Sequence, residues 1–212
     1  MKKILLISIS LLFATAMFSQ KTKSDYLFKN DFKVGVFSFI NSTFDLNYER
    51  MVAENKSLVL RGTVKWLDNG WEKEIGGMGE LQYRYYLIQF GKNENYPFKI
   101  GFYAAPYAFI KTLQDNNAEI GYYGEIYNDQ LGIYEPYSYD VKEINYISYG
   151  AGIYGGIKAL IMKKITMDFT VGGGLKISEH DSDLPEHYSW TIFEDGYSGI
   201  VPRANFTLGF LF

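Results

Sequence analysis

Both histidines of the chain fall in one short stretch, Ser178-Glu179-His180-Asp181-Ser182-Asp183-Leu184-Pro185-Glu186-His187. Six potential ligands this close together could bind a divalent cation. Imidazole with carboxylate suits zinc, and the carboxylates Glu179, Asp181, Asp183 and Glu186 alone suit calcium. A solvated acidic loop has the same composition, so the stretch is a candidate cation site and not a motif. Gly150, Gly152 and Gly155 match G-x-G-x-x-G, but that fingerprint needs a helix to follow, and here the glycines run on into a strand pattern. Nucleotide binding is set aside on that ground, and no other cofactor is implied. Tyr122, Tyr123, Tyr127, Tyr134, Tyr137 and Tyr139 lie among Asp and Glu. Tyr offers large contact area at low entropic cost, which suits recognition of a surface protein or glycan. The same rings could instead pack against their own loop and lipid headgroups.

The remaining chemistry-bearing residues recur at every second position. Asp45, Glu49, Arg61, Glu80, Arg84, Lys99, Asp168 and Arg203 all sit on the polar side of alternating segments, which reads as a paired structural network inside a barrel, since an unpaired buried charge is costly. The alternation is clearest in Met78 to Ile88, where Leu81, Tyr83, Tyr85 and Leu87 oppose Glu80, Gln82, Arg84 and Tyr86. It recurs in Phe44 to Met51, Leu58 to Trp66 and Ile165 to Ile177. It is looser in Phe32 to Ile40, Phe98 to Ile110, Asn145 to Met162 and Pro202 to Phe212. Period two over such lengths is a strand signal, and about ten residues is what a tilted strand needs to cross a membrane.

Composition agrees with this. The 212 residues include 19 Tyr, 16 Phe and 21 Gly, with no Cys and a net charge of −3. The absence of Cys excludes a disulfide scaffold, a thiol nucleophile and a thiolate metal site. The near-neutral charge lacks the footprint of a nucleic-acid binder. Lys2 and Lys3 followed by an apolar run from Ile4 to Phe18, with small residues at its end, have the layout of a secretory signal peptide cleaved near Ser19–Gln20.

The connections alternate as well. Val52 to Ser57, Gln89 to Pro97 and Lys163–Lys164 are short, whereas Leu67 to Gly77, Lys111 to Ile144 and Ser178 to Val201 are long. Only the first link, around Asn41 to Thr43, breaks the rule. Short turns at one end and long loops at the other are expected of an outer-membrane barrel. The three long loops carry sixteen carboxylates against Lys73, Lys111 and Lys142, so the outer end is acidic. The last strand sets Phe206, Leu208, Phe210 and the terminal Phe212 on one face. Such an ending resembles the signal read by the outer-membrane barrel assembly machinery.

Phe44-Asp45-Leu46-Asn47-Tyr48-Glu49-Arg50, a short polar turn and a new strand at Leu58 resemble the N-terminal hairpin of small outer-membrane barrel proteins of Bacteroidota type. The Gly-rich pair Tyr149 to Gly156 and Val171 to Leu175 and the ending from Pro202-Arg203 are similar to that family too. The resemblance implies an eight-stranded barrel and supplies no catalytic position. His180-Asp181-Ser182 also has a His-x-Ser spacing similar to that of an outer-membrane lipid A deacylase, but Asp183 stands where that pattern has Asn.

The expectation is an all-β, eight-stranded antiparallel up-and-down transmembrane barrel. Residues 1–19 are a cleavable signal peptide, 20–31 a short periplasmic segment and 32–212 the barrel. Leu81, Tyr83, Tyr85, Phe206, Leu208 and Phe210 face lipid, and bulky inward Tyr86, Tyr103, Tyr107 and Tyr154 help fill the lumen. The protein is expected to be non-catalytic, with a structural or surface-interaction role. Outer-membrane lipid and lipopolysaccharide are its surroundings, and surface proteins or glycans its partners. A narrow channel or small-ligand binder, a lipid-modifying enzyme and a soluble lipocalin-like barrel are the alternatives.

Overall fold

The computed structural model describes residues 30–68, 73–90, 98–115, 122–128, 133–139, 144–181 and 195–212, with Ile40, Asn41, 122–128 and 133–139 described in backbone alone. Ten strands form: β1 (Asn30–Gly35), β2 (Thr43–Ala53), β3 (Lys56–Asp68), β4 (Lys73–Phe90), β5 (Phe98–Asp115), β6 (Tyr122–Asn128), β7 (Ile133–Tyr139), β8 (Ile144–Ile161), β9 (Ile165–His180) and β10 (Gly199–Leu211). Eight of them pair antiparallel in up-and-down order, and β1 meets β10, so the sheet closes into a barrel. β6 and β7 form a separate two-stranded sheet.

The eight expected segments are all present in the ring, most of them longer than the alternation alone implies. Cross-strand partners run from Lys33 to Asn47, Arg61, Glu80, Phe109, Gly150, Lys176 and Gly199. Thr207 pairs with Gly35, so the position opposite Gly199 is 43, ten residues on from Lys33. This stagger tilts the strands, as closing a sheet requires. Close approach of β8 and β9 needs glycine, because a Cβ on Gly152 would lie 2.2 Å from the Gly173 carbonyl oxygen and one on Gly174 2.2 Å from that of Ala151. The G-x-G-x-x-G stretch is therefore continuous strand, with no helix behind it.

Four expectations are corrected. The first strand does not run to Ile40. Val36 adopts helical angles and a 3-10 turn, Phe37–Asn41, follows, ending at Ser42 in the left-handed region. The Ser38 hydroxyl donates to the Gly35 carbonyl and stabilises this exit. The barrel begins at Asn30 and not at Phe32, which brings Asp31 into the wall. Of the expected loop from Leu67 to Gly77, Leu67, Asp68 and the residues from Lys73 to Gly77 are strand, because Gly76 and Gly77 pair in the ladder and do not break it. Finally, 111–144 is not a plain loop. β5 runs on to Asp115, and the tyrosine-rich stretches pair as β6 and β7 with Tyr122 opposite Tyr139 and Tyr127 opposite Tyr134, in keeping with the strand preference of Tyr.

The turn between β8 and β9 is tight. Ile161 pairs with Ile165 across only three residues, Met162 and Lys163 both have positive φ, and the Lys164 amide bonds the Ile161 carbonyl.

Candidate functional site: the charged interior and the loop end

Polarity is inverted across the wall. Outward positions carry Leu60, Leu81, Tyr83, Tyr85, Ile153, Phe169, Leu175, Leu208 and Phe210, all exposed. Phe206 is only half-covered, because Phe37 packs on it with ring centroids 5.8 Å apart. Inward positions bury Asp31, Lys33, Asp45, Glu49, Glu80, Arg84, Lys158 and Asp168, none more than 3% exposed. Alternation on each strand produces this directly, since successive side chains leave opposite faces.

The inward charges form two layers. Near the short turns, Glu49 is the hub. It accepts from Lys33 Nζ (2.5 Å), Lys158 Nζ (2.9 Å), Arg84 Nη1 (3.2 Å), the Ser57 hydroxyl (2.6 Å) and the Tyr86 hydroxyl (2.6 Å). Asp168 accepts from Lys33, Arg84 and the Tyr103 hydroxyl, and Asp31 pairs with Lys158 at 2.8 Å and accepts from Thr166. Lys33, Arg84 and Lys158 balance Asp31, Glu49 and Asp168, and with Ser57 and Tyr103 the layer ties together seven of the eight ring strands. The Arg84 guanidinium also lies over the Tyr103 ring at 4.3 Å. Tyr103 in turn needs Gly156, where a Cβ would fall 2.3 Å from its ring.

The second layer stands toward the loop end. Arg61 grips Asp45 through Nε and Nη2, the latter at 2.5 Å, and Arg203 Nη1 donates to Glu80 at 2.6 Å. Tyr154 donates to Glu80 and stacks on Tyr107 with centroids 4.0 Å apart. Arg203 lies over Phe109 at 4.5 Å. Again two cations meet two carboxylates. Gln82 joins the layers: its amide nitrogen donates to Glu80 and its oxygen accepts from Arg84.

Of the eight expected network residues, seven are brought together. Lys99 is half-buried at the short-turn end of β5, and no described ion pair ties it in. The sequence places Lys33 and Lys158 among the inward basic groups to be paired, and they are two of the three lysine and arginine partners of Glu49; the member it misses is Asp31. The signal was present in the parity of Asp31 and Lys33 against Phe32 and Val34, but Asp31 was read as part of the leading segment.

At the loop end, Lys111 pairs with Asp195, whose carbonyl accepts from Lys176 and the Ser178 hydroxyl. A cavity of about 210 Å3 lies here, lined by Tyr107, Phe109, Lys111, Lys176 and Arg203. Of the expected cation ligands, Glu179 accepts from the Tyr149 hydroxyl at 3.1 Å. Asp181 accepts from the Asn145 amide and side chain at 2.8 and 2.9 Å, so both its oxygens are engaged. Those bonds hold the Asp181 carboxyl below the usual carboxylate range. Asp183, Glu186, Ser182 and His187 lie outside the described residues, and among the described residues no three ligating side chains converge. His180 packs edge-on to Tyr146, centroids 6.4 Å apart. Of the six expected recognition tyrosines, the backbone pairing of β6 and β7 is described and the side chains are not.

No protein-family model, curated protein or solved structure matches this chain, so its interior, wall and loops stand on their own geometry.

Proposed function

We propose that this chain is an outer-membrane β-barrel protein of a bacterium, exported by a cleavable signal peptide over residues 1–19, that neither conducts nor catalyses and acts at the cell surface through its loop end. The observation that carries this is the inverted polarity. A soluble barrel holding an apolar ligand buries its apolar face, whereas here charged groups fill the interior and an apolar belt faces outward. A contiguous apolar surface of that size has no place on a soluble monomer. In lipid it is the required one, and the closed ladder leaves few backbone groups unbonded. The neutral, cross-linked layer around Glu49 supports a blocked lumen, since eight strands enclose only enough room for side chains.

Fractionation tests the membrane reading. The protein is expected with the outer membrane, to float with lipid vesicles, and to migrate faster unboiled than boiled in a detergent gel. Recovery in the soluble periplasmic fraction would overturn it. Planar-bilayer recordings test the blocked lumen, with no stable porin-sized steps expected from the pure protein.

A second reading, a small-ligand binder, is favoured by the cavity at the loop end. There the Lys111 ammonium meets the Asp195 carboxylate and Lys176 donates to the Asp195 carbonyl, beside the Tyr107 and Phe109 rings. Calorimetric titration with small carboxylates and phosphates separates it from a surface-interaction role.

A further inference from the structure

Among the described residues the wall is incomplete on one side. β1 ends at Gly35, and its ladder with β10 reaches Thr207, followed by one bond from the Val36 amide to the Phe206 carbonyl. β10 extends back to Gly199, and from Gly199 to Asn205 no described strand lies beside it on the β1 side. The backbone bonds at Phe206 and Phe212 show that even-numbered residues of β10 turn their polar groups to that side. Pro202, which has no N–H, therefore faces the opening, where no ladder asks for a donor. The same proline makes the edge a poor template for an added strand, because one bond of the new ladder could not form.

The 3-10 turn of Phe37–Asn41 follows the end of β1, and its Phe37 and Ser38 line a cavity of about 340 Å3 together with Ala204, Asn205 and Phe206 of β10. Phe37, Phe169 and Phe206 line its outer part, continuous with the apolar belt, and Asp45, Arg61 and Asn205 line its inner part. Asp45 is occupied by Arg61, Asn47 and Asn205. Arg61 is 13% exposed, and its Nη1 stands 3.8 Å from Glu80, too far for a hydrogen bond. The inner part of the cavity thus holds a guanidinium paired with Asp45 whose Nη1, among the described residues, donates no hydrogen bond, behind an apolar entrance.

We propose that this gap is a lateral slot for an acyl-chain amphiphile with an acidic head, the head on Arg61 and the chain running past Phe37, Phe169 and Phe206 into the bilayer. The inference rests on the membrane reading above. A fatty-acid carboxylate and a lipid phosphate share the required chemistry, and guanidinium binds either through parallel N–H donors.

In the test, the full chain with Phe206 exchanged for photoreactive benzoylphenylalanine is reconstituted in phosphatidylcholine vesicles doped with oleic acid or, separately, with phosphatidic acid. The same group in place of Tyr83, on the opposite wall, is the control. Mass spectrometry of the adducts should show acidic lipid captured about tenfold more at 206 than at 83, the size of effect one charge-assisted hydrogen bond produces. Enrichment of only one probe names the head group, and enrichment of both assigns acidic heads generally. Arg61→Met should bring the ratio to the control value. Ala204→Trp, which fills the mouth without touching the buried pair, should do the same even where Arg61→Met fails to fold. Equal capture at the two positions, an adduct within the chain ahead of Asn30, or a covalent dimer would overturn the slot. Failure to float with the vesicles would instead defeat the membrane reading and leave the slot without its setting.

Discussion

The two charged layers have the same arithmetic and different surroundings. Around Glu49, three cations and three carboxylates are sealed, and every one of them contacts at least two others or a buried hydroxyl. Around Glu80 the two arginine side chains remain 13% and 20% exposed, and aromatic rings take over part of the contact. Charge balance alone therefore does not decide how closed an interior is. What differs is the wall: next to the first layer all eight strands are paired, and next to the second β1 has ended. The first layer is fully buried inside the ring, and the second lines two cavities, one beside the end of β1 and one at the loop end.

The largest expected effect comes from the hub of the sealed layer. Glu49→Ala leaves Lys33, Lys158 and Arg84 short of a counter-charge in a closed interior, and breaking a buried pair in this way costs about 3–5 kcal/mol. Urea unfolding in vesicles, followed by the gel-mobility shift, should show the loss. A change no larger than that of an exposed-residue control would remove the distinction between the layers. Glu80→Gln keeps the shape and hydrogen-bonding capacity of its site, and water can reach Arg61 and Arg203. Its cost in the same assay should be smaller, about 1–3 kcal/mol. Equal losses for the two variants would break the comparison.

Gly156→Ala probes the packing of the sealed layer without altering its charges. The added methyl displaces the Tyr103 ring from Asp168, and overpacking of this kind costs about 1–3 kcal/mol. Tyr103→Phe in the same chain lacks that hydroxyl, so a double variant as stable as Gly156→Ala alone would show that loss of the hydroxyl bond is what costs, and recovery of stability would show that the crowding does.

The smallest effect lies outside the wall, at the end of β9. Because the Asp181 carboxyl is held below its usual range by Asn145, its contribution is fully present above the ordinary carboxylate pKa and is lost as pH falls through the lower folded value. Protection of the Asn145 amide against hydrogen exchange should follow that titration. A midpoint at or above the ordinary value would show that the contact does not form in solution. Asp181→Asn should abolish the pH dependence while leaving the barrel intact.

How much could be read without coordinates depended on whether the feature was local. Alternation made the eight ring strands and the inward side of Glu49, Glu80, Arg84 and Asp168 legible, because side-chain direction in a strand follows from position alone. The ends of the elements were less legible. Gly76 and Gly77 looked like a break but are paired, and the alternation of Phe37 and Phe39 continued past the point where the backbone turned into a 3-10 helix. Lys99 lies on the same inward face as Lys158, opposite the buried Leu160, but does not have its partners, which depend on the stagger.

What the amino-acid order determined by itself is therefore the two-faced character of each strand, the aromatic belt and the acidic character of the long loops, all consequences of period two and composition. Pairing was decided only in three dimensions. A stagger of ten residues sets Lys33 beside Asp168, from residues far apart in the chain, and brings Lys158 onto Asp31 and Glu49. The same stagger carries β10 past the end of β1 and opens the gap over Arg61. No single strand holds that information, because closure is a property of the whole ring.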